Sequence, residues 1–250
     1  VMDKKTNSFS FSADYYRSVW DNKPSLRRVY ESYYKKLLAS CVPGKTLEIG
    51  GGNGHLHEYN KDVIITDIQI SSWVNISADA QKLPFKDQSF DNIILLDVLH
   101  HIEFPYNFFN EAERILRPGG RVIMIEPGIT IISSIILHLT HPEPIYMRAD
   151  PWKRGEPNPQ KDPFDANQAL PTIIFFRNSG KKKFLQLYKN FKIVNSERLS
   201  LFAYPLSGGF RKWSLIPALL VSTLLRIEAT LMPFMGPFMA FRVFIVLQKN

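Results

Sequence analysis

The sequence predicts an α/β fold built on one doubly wound sheet of mostly parallel strands. In the first half of the chain, short and continuously apolar segments alternate with segments of helix length, a pattern typical of strands buried on both faces. Glycine or acidic residues follow several of these segments directly, at the edge where open α/β sheets bind ligands. The 250 residues, 45% of them hydrophobic, are enough to bury one large core.

Residues 1–42 predict an N-terminal helical segment. Pro24 opens a helix-like stretch that reaches about Ala39, and Pro43 with Gly44 ends it. Apolar residues recur along this stretch at helical spacing, so one side of the helix must lie on the rest of the fold.

Strands then follow in quick succession. Apolar runs predict four strands at 46–49, 63–66, near 74–76 and at 92–96, and a fifth at 121–125. A helical pattern around 108–116 precedes the fifth strand, and proline and glycine at 118–120 end it.

The second half of the chain has a different composition. Seven prolines between Pro142 and Pro171 exclude long helices and central strands there, so we expect an irregular excursion. Beyond it, the pattern predicts a helix at 181–190 and strands at 191–194 and 242–247.

Between the last two strands lies a very apolar segment, residues 213–241. Its uncharged runs, 213–225 and 229–241, have thirteen residues each, whereas a membrane-spanning helix needs about 20 apolar residues. We therefore expect a surface insertion and not a membrane anchor.

Composition narrows the environment and the partners. A single cysteine, Cys41, excludes an internal disulfide and indicates a reducing compartment. Residues 1–10 lack the apolar core of a signal peptide, so we expect a cytoplasmic protein. The formal charge of +8 favours phosphates, anionic lipids or nucleic acid as partners. Peripheral binding at the inner membrane face is therefore an alternative location.

A glycine-rich turn at 48–54 follows the first strand. Glycines there let the backbone approach a ligand closely, and the amides of a following helix can hold an anionic group. A dinucleotide fingerprint that starts at Gly50 needs its third glycine at position 55, which is His55, so a nicotinamide cofactor is disfavoured. A turn that serves only chain reversal remains the alternative.

Two acids follow further strands. Asp67 stands at the end of the second strand, where a carboxylate can accept both hydroxyls of a ribose, or simply be a solvated loop acid. Asp79, followed by Ala80, can meet the exocyclic amine of an adenine or cap a helix.

These motifs, taken in order, resemble a known family. The matching segments are 47–54, 78–80 with 83–85, 89–101 and 117–121, and they lie within residues 46–127, a span of about a third of the chain. They are similar to class I S-adenosylmethionine-dependent methyltransferases of the small-molecule group often labelled type 11. The resemblance implies S-adenosylmethionine as cofactor and a Rossmann-like sheet of seven strands, the last one antiparallel.

The resemblance also implies one methyltransferase domain over 1–250. Its parts are the N-terminal helical segment, the cofactor-binding core 43–128, a lid with helices at 129–190, and the last strands at 191–250. An apolar insertion at 205–238 within the last part serves as a substrate cap.

Cofactor-binding roles follow from the same resemblance. The methionine end of the cofactor would be bound by Glu48, Gly50, Gly51, Gly52 and Gly54. Asp67, with Ile68 beside it, would bind the ribose. Asp79 and Ala80 would contact the adenine, and Asp97 would lie near the transferable methyl group. One departure stands out, because seven residues, 68–74, are too few for the usual second crossover helix, and we expect an irregular connection there.

Candidate catalytic groups follow the fourth and fifth strands. His101 is the first choice for a base or acceptor-orienting group, with His100 beside it, and Glu126 is the second. Side chains that merely pack or cap a loop are the alternative, and His138 and His141 are weaker candidates. No metal site is predicted, because neither pair of neighbouring histidines has further ligands at a recognisable spacing.

The acceptor must be inferred from the second half. An apolar cover on a basic protein favours a hydrophobic small molecule or a lipid- or glycan-linked acceptor, with peripheral membrane contact through 213–241. Extra core or a homodimer interface is the alternative use of that segment. A nucleic-acid methyltransferase is disfavoured, because Asp97-Val98-Leu99-His100 replaces the aromatic-flanked proline motif of amino-methylating enzymes. A non-catalytic cofactor-binding or membrane-associated scaffold also remains open.

Overall fold

The computed structural model describes residues 13–250, so the first twelve residues of the predicted segment 1–42 lie outside the described residues. Two helices come first, α1 (Ala13–Asn22) and α2 (Pro24–Ala39). Proline suits the first position of α2 because that position needs no amide donor. The predicted apolar stripe of α2 is buried against the sheet.

Seven strands form one sheet in the order β3-β2-β1-β4-β5-β7-β6. They are β1 (Thr46–Ile49), β2 (Ile64–Asp67), β3 (Ile76–Ser77), β4 (Phe90–Leu96), β5 (Leu116–Pro127), β6 (Phe191–Leu199) and β7 (Arg242–Lys249). The first five strands pair in parallel, and β7 inserts antiparallel between β5 and β6. The predicted Rossmann-like sheet with an antiparallel last strand is confirmed.

Helices cover both faces of this sheet. Beyond α1 and α2, the helices are α3 (Pro105–Ile115) between β4 and β5, α4 (Ile131–Thr140), α5 (Leu170–Phe175), α6 (Asn178–Leu187), α7 (Ala203–Ser207) and α8 (Ala218–Met239). One apolar core joins the sheet to α3, α5 and α6, and a second joins it to α1, α2, α7 and α8. Strands buried between two such layers favour apolar residues on both faces, which explains the nearly continuous apolar runs.

Of two predictions about loops in the first half of the chain, the structure confirms one and contradicts the other. The connection 68–75 between β2 and β3 contains no helix within the described chain, as the short spacing predicted. The glycine-rich turn, however, leads into a single 3₁₀ turn, His55–Glu58, and not into the helix that we expected. A helix N-terminus therefore does not supply the amides of this loop.

The apolar insertion corrects the argument from run length. Residues 218–239 form one helix of 22 residues that continues through Arg226, Glu228, Pro233 and Pro237. Glu228 does not interrupt it, because the side chain turns inward and accepts hydrogen bonds from the amides of residues 202 and 203. By length and composition alone, α8 is apolar enough to cross a membrane.

Candidate active site

A cavity of about 1030 Å³ opens at the carboxyl ends of β1, β2 and β4. Parallel strands end together at this edge, so their following loops surround one space. Of the predicted residues, the cavity wall includes Glu48, Gly50, Gly51, Gly52, Asp67, Asp97, His100 and His101.

Close packing explains the glycines of the turn. Gly50 has φ +70°, and a Cβ there would lie 2.4 Å from a methyl of Val98. At Gly52 a Cβ would lie 2.9 Å from the Asp67 carboxylate. Gly54, with φ +66°, faces Trp73 and is not on the cavity wall. The turn therefore presents bare backbone to the cavity through Gly50, Gly51 and Gly52.

Glu48 is a buried acid at the floor of this cavity. Its Oε2 atom has no hydrogen-bond partner in the described part of the chain. Burial, and then the charge of Asp67, raises the pKa of Glu48 to about 8. A buried oxygen without a partner is suited to a ligand that brings a hydrogen-bond donor or a positive charge.

Asp67 braces the loop that it faces. Its carboxylate accepts hydrogen bonds from the amides of Gly52, at 2.9 Å, and Gln69, at 2.8 Å. Burial raises the pKa of Asp67, and these amide hydrogen bonds partly offset the effect. The side chain thus both shapes the glycine turn and lines the cavity.

The predicted adenine wall lies elsewhere. Ile68 is exposed, and neither Asp79 nor Ala80 belongs to the cavity wall formed by the described residues. The Asp79 carboxylate instead accepts the amide hydrogen of Gln81 at 2.8 Å within a tight turn. No helix of the described chain begins there, so the helix-cap alternative is not found either. The helix-free connection after β2 brings residues 69–71 to the wall in place of these three residues.

Asp97 is held from two sides. It has φ +61°, and its carboxylate accepts a hydrogen bond from the Tyr30 hydroxyl at 2.9 Å. It also forms an ion pair with Arg242, a buried residue at the start of β7. The Arg242 guanidinium lies 4.1 Å from the ring centre of Tyr204. Asp97 therefore ties β4 to α2 and β7 at the cavity edge.

Glu126 positions the turn that carries the histidines. One carboxylate oxygen accepts the amide hydrogens of Val98 and Leu99, and the other lies 2.7 Å from Nδ1 of His100. The residue is fully buried and does not reach the cavity wall. The prediction of Glu126 as a base is therefore corrected to that of a positioning residue.

His100 lies between two carboxylates. Its Nε2 atom is 3.5 Å from Glu143, on the side opposite Glu126. Burial by itself lowers the pKa of His100, but the hydrogen bonds and charges of Glu126 and Glu143 outweigh it and raise the pKa to about 9. The imidazole is thus a fixed cation at neutral pH.

His101 and Glu143 complete the polar end of the cavity. Burial, and then the positive charge of His100, lowers the pKa of His101 to about 3. Burial would raise the pKa of Glu143, but the hydrogen bond and charge of His100 lower it to about 2. A neutral imidazole and a carboxylate, 4.0 Å apart, therefore face the cavity together.

The sequence did not reveal Glu143. Its only local signal is an acid between two prolines, and it reaches the histidines through the irregular excursion after α4. Ligand atoms of His100, His101 and Glu143 lie within 4.8 Å of one another, a group that could hold a metal ion. This corrects the expectation that the paired histidines have no third ligand nearby. Of the weaker candidates, His141 lines the cavity and His138 is exposed away from it.

Aromatic side chains roof the cavity. Tyr16 of α1 stacks on Phe164 with ring centres 6.4 Å apart, and it meets Phe210 edge to face at 5.0 Å. Three segments distant in sequence, namely α1, the proline-rich excursion and the apolar insertion, therefore converge over the site. The excursion and the insertion lie where the predicted lid and cap would be.

Comparisons with known proteins agree with this geometry. Residues 47–124 match the family model described as a methyltransferase domain. The chain is 29% identical over 134 residues to 27-O-demethylrifamycin SV methyltransferase of Amycolatopsis mediterranei, which covers 44% of this chain and 49% of that protein. It is 39% identical over 51 residues to a ubiquinone/menaquinone biosynthesis C-methyltransferase of Ruegeria, 20% of each protein. The chain thus spans about half, or less, of the length of these curated relatives.

Solved structures show the same architecture. A SAM-dependent methyltransferase from Thermotoga maritima has a TM-score of 0.52 at 15% identity, over 94% of each chain. Geranyl diphosphate C-methyltransferase from Streptomyces coelicolor has a TM-score of 0.50 at 12% identity, over 99% of this chain and 90% of that one. At these identities the likeness concerns the fold.

Proposed function

Because this chain is a class I S-adenosylmethionine-dependent methyltransferase by its domain and fold, we propose that it methylates an oxygen or nitrogen of a largely apolar acceptor. The acceptor is a hydrophobic small molecule or a lipid- or glycan-linked one. One observation carries the proposal: the glycine turn with Glu48 and the pair His101–Glu143 line the same aromatic-roofed cavity.

The residues present fit the cofactor. The bare backbone of Gly50, Gly51 and Gly52 and the unpartnered Glu48 oxygen suit its methionine end, where a positive amine needs a carboxylate. Asp67, on the adjoining wall, suits the ribose hydroxyls. When bound, S-adenosylmethionine supplies a methyl group already activated on a sulfonium, so the protein needs no strong nucleophile of its own.

The cavity orients the reactants and limits the access of water to them. Holding two reactants in line can raise the reaction rate by several orders of magnitude. An aromatic roof over them limits the access of water. Tyr16, Phe164 and Phe210 provide such a roof. The size of the cavity, about 1030 Å³, exceeds what one small ligand fills and leaves room for an acceptor.

His101 is the group that meets the acceptor proton. Its imidazole is neutral at pH 7 and can accept a hydrogen bond from an acceptor hydroxyl or amine. Glu143, 4.0 Å away, favours the charged form of His101 and partly opposes the burial and the His100 charge that lower the pKa of His101. His100, held as a cation by Glu126, keeps Glu143 ionised and in place.

The relatives support an apolar acceptor. By their names, the matched proteins act on a rifamycin, on quinone precursors and on geranyl diphosphate, all of which have large apolar parts. The aromatic side chains that line the cavity would bind such a part well, namely Tyr16, Phe164 and Phe210 of the roof together with Tyr146, Tyr204 and Trp213.

A transfer assay tests the proposal against its rivals. The protein is incubated with methyl-tritiated S-adenosylmethionine and a cell extract, and the label is followed into organic-soluble, nucleic-acid and protein fractions. We expect label in the organic-soluble fraction. Label in RNA would support a nucleic-acid methyltransferase, and tight S-adenosylhomocysteine binding without transfer to any fraction would support a scaffold.

A further inference from the structure

The helices α4 and α8 pack against each other and leave a wide apolar surface outward. We call it the α4–α8 face. Its large exposed side chains are Ile131, Ile132, Ile135, Ile136 and Leu139 of α4, and Leu219, Leu220, Ile227, Phe234 and Phe238 of α8. Leu139 is 78% exposed and Phe234 is 76% exposed. Patches of this extent are rare on soluble monomers and mark surfaces that bind something apolar.

The exposed charged residues on the segments that form this face are all cationic. The ranges 131–140 and 211–241 contain one acid, Glu228, and it is buried and bonded to backbone amides. Exposed cations lie beside the apolar side chains, namely Arg211, Lys212 and Arg226. Arg28 of α2, also exposed, donates a hydrogen bond to the backbone at the start of α8. An apolar face with cations and without exposed acids complements a layer of anionic lipid headgroups.

The α4–α8 face is continuous with the rim of the cavity. Ile136 and Thr140 of α4 line the cavity and are themselves exposed. Trp213, which precedes α8, does the same and is 45% exposed. A molecule that leaves an apolar layer at this face therefore meets the cavity without crossing water.

The helix α8 is docked along the fold. Its 22 residues would extend about 33 Å at 1.5 Å per residue, enough to span a bilayer. Its inner side, however, packs on α2 and β6, with Val221 and Gly236 buried. Spanning would also carry the Glu228 carboxylate into the lipid and away from its amide partners. The geometry suits a helix that lies in the interface plane.

We propose that the α4–α8 face docks this protein on an anionic lipid bilayer, with α4 and α8 lying in the interface plane. The acceptor then enters the cavity directly from the lipid, a step that rests on the proposed methyl transfer. The docking itself needs no turnover. It places the protein at a membrane surface as a peripheral protein.

Flotation with vesicles tests the docking. The full chain is mixed with vesicles of phosphatidylcholine alone or of phosphatidylcholine with phosphatidylglycerol, and the floated fraction is measured. We expect clear flotation with the anionic vesicles and weaker flotation with the neutral ones. The variant Ile135→Glu/Phe234→Glu should lose at least about tenfold in vesicle affinity, because two apolar anchors become charged.

A matched control separates docking from general hydrophobicity. Leu185→Glu changes an apolar residue of α6 that is 42% exposed and far from this face in the fold. It should float like the unchanged protein. Calorimetry with S-adenosylhomocysteine should give equal affinity for all three proteins, which shows that they are folded and that loss of docking is not loss of the cofactor site.

Two results would overturn the proposal. One is flotation that is absent, or equal in the unchanged protein and the double variant. The other is light scattering that shows a dimer which the double substitution dissociates, without vesicle binding, since the face would then join two copies of this chain. Failure of methyl transfer in the tritium assay would leave the flotation result unchanged.

Discussion

The Glu126 carboxylate accepts a hydrogen bond from Nδ1 of His100 at 2.7 Å, across the ends of two adjacent parallel strands. The same carboxylate holds the amides of residues 98 and 99. Glu126 therefore orients the whole turn that presents the histidines to the cavity, although it touches no cavity space itself. This contact leads to the first expectation.

Replacing Glu126 should change the titration of His100. The pKa of His100 is raised to about 9 in the folded protein, from 6.5, so the stability it contributes is complete below about pH 6.5 and is lost as pH rises towards 9. Glu126→Gln should lower the pKa of His100 and shrink this pH dependence. Imidazole NMR titration measures it, with the exposed Glu156→Gln as control. An unaltered titration in Glu126→Gln would contradict the assigned contact.

Removing His101 should slow the chemical step. General acid–base catalysis is typically worth about 10²–10⁴ in rate, so His101→Ala should lower kcat by that range if the acceptor loses a proton. Cofactor affinity should stay within about twofold, since the cofactor-binding residues are untouched. His138→Ala, on the exposed side of α4, is the control. Undiminished turnover of the labelled acceptor would remove His101 from the mechanism.

Filling the glycine turn should block the cofactor. A Cβ at Gly52 lies 2.9 Å from the Asp67 carboxylate, so Gly52→Val must displace Asp67 and occupy backbone space at the cavity. We expect calorimetry to detect no S-adenosylhomocysteine binding. Gly236→Ala, in the interior of α8, meets mainly the flexible end of Met232 and should bind normally. Unchanged affinity in Gly52→Val would refute the loop as the cofactor site.

Glu48 should lower the stability of the ligand-free protein at high pH and strengthen the binding of S-adenosylhomocysteine. Its pKa is raised from 4.5 to about 8, so its stabilising contribution is complete below about pH 4.5 and is lost as pH rises through 8. Glu48→Gln removes this loss and should make the ligand-free protein more stable than the unchanged protein at pH 9. The same variant should bind S-adenosylhomocysteine more weakly. Denaturant unfolding at pH 6 and pH 9 measures the first effect, and parallel pH profiles for both proteins would exclude it.

The ion pair between Asp97 and Arg242 should behave as a unit. Removing one partner of a fully buried pair costs about 3–5 kcal/mol, because the other charge stays without compensation. The cost should be smaller here, because the Asp97 side chain is 25% exposed whereas that of Arg242 is 4% exposed. Arg242→Met should therefore destabilise more than the double variant Asp97→Asn/Arg242→Met. Urea unfolding gives both free energies. Strictly additive effects of the two substitutions would show that the charges act independently.

The strands were readable from sequence because their signal is local. Residues 46–49 and 92–96 are mostly apolar and almost wholly buried, since helices cover both faces of the sheet, and glycine or acid follows where each strand ends. Glu48, Asp67, His100 and His101 reached the cavity as predicted because the carboxyl ends of parallel strands share one edge.

The positions of several residues outside the sheet could not be predicted from their neighbours in the sequence. Asp79 lies off the cavity wall and accepts a hydrogen bond within a local turn. Glu228 lies within a helix that its charge was expected to interrupt. Glu143 and Arg242 come from distant segments, and only the folded chain brings them to His100 and Asp97.

The sequence by itself therefore determined the sheet, and it placed Glu48, Asp67 and the glycines at 50–52 at the cavity, because alternation, glycine spacing and strand length are short-range properties. Tertiary structure alone decided which distant side chains line the cavity, what holds each histidine and where the apolar helices lie. Those depend on contacts between segments far apart in the chain, whose free energy no single segment contains.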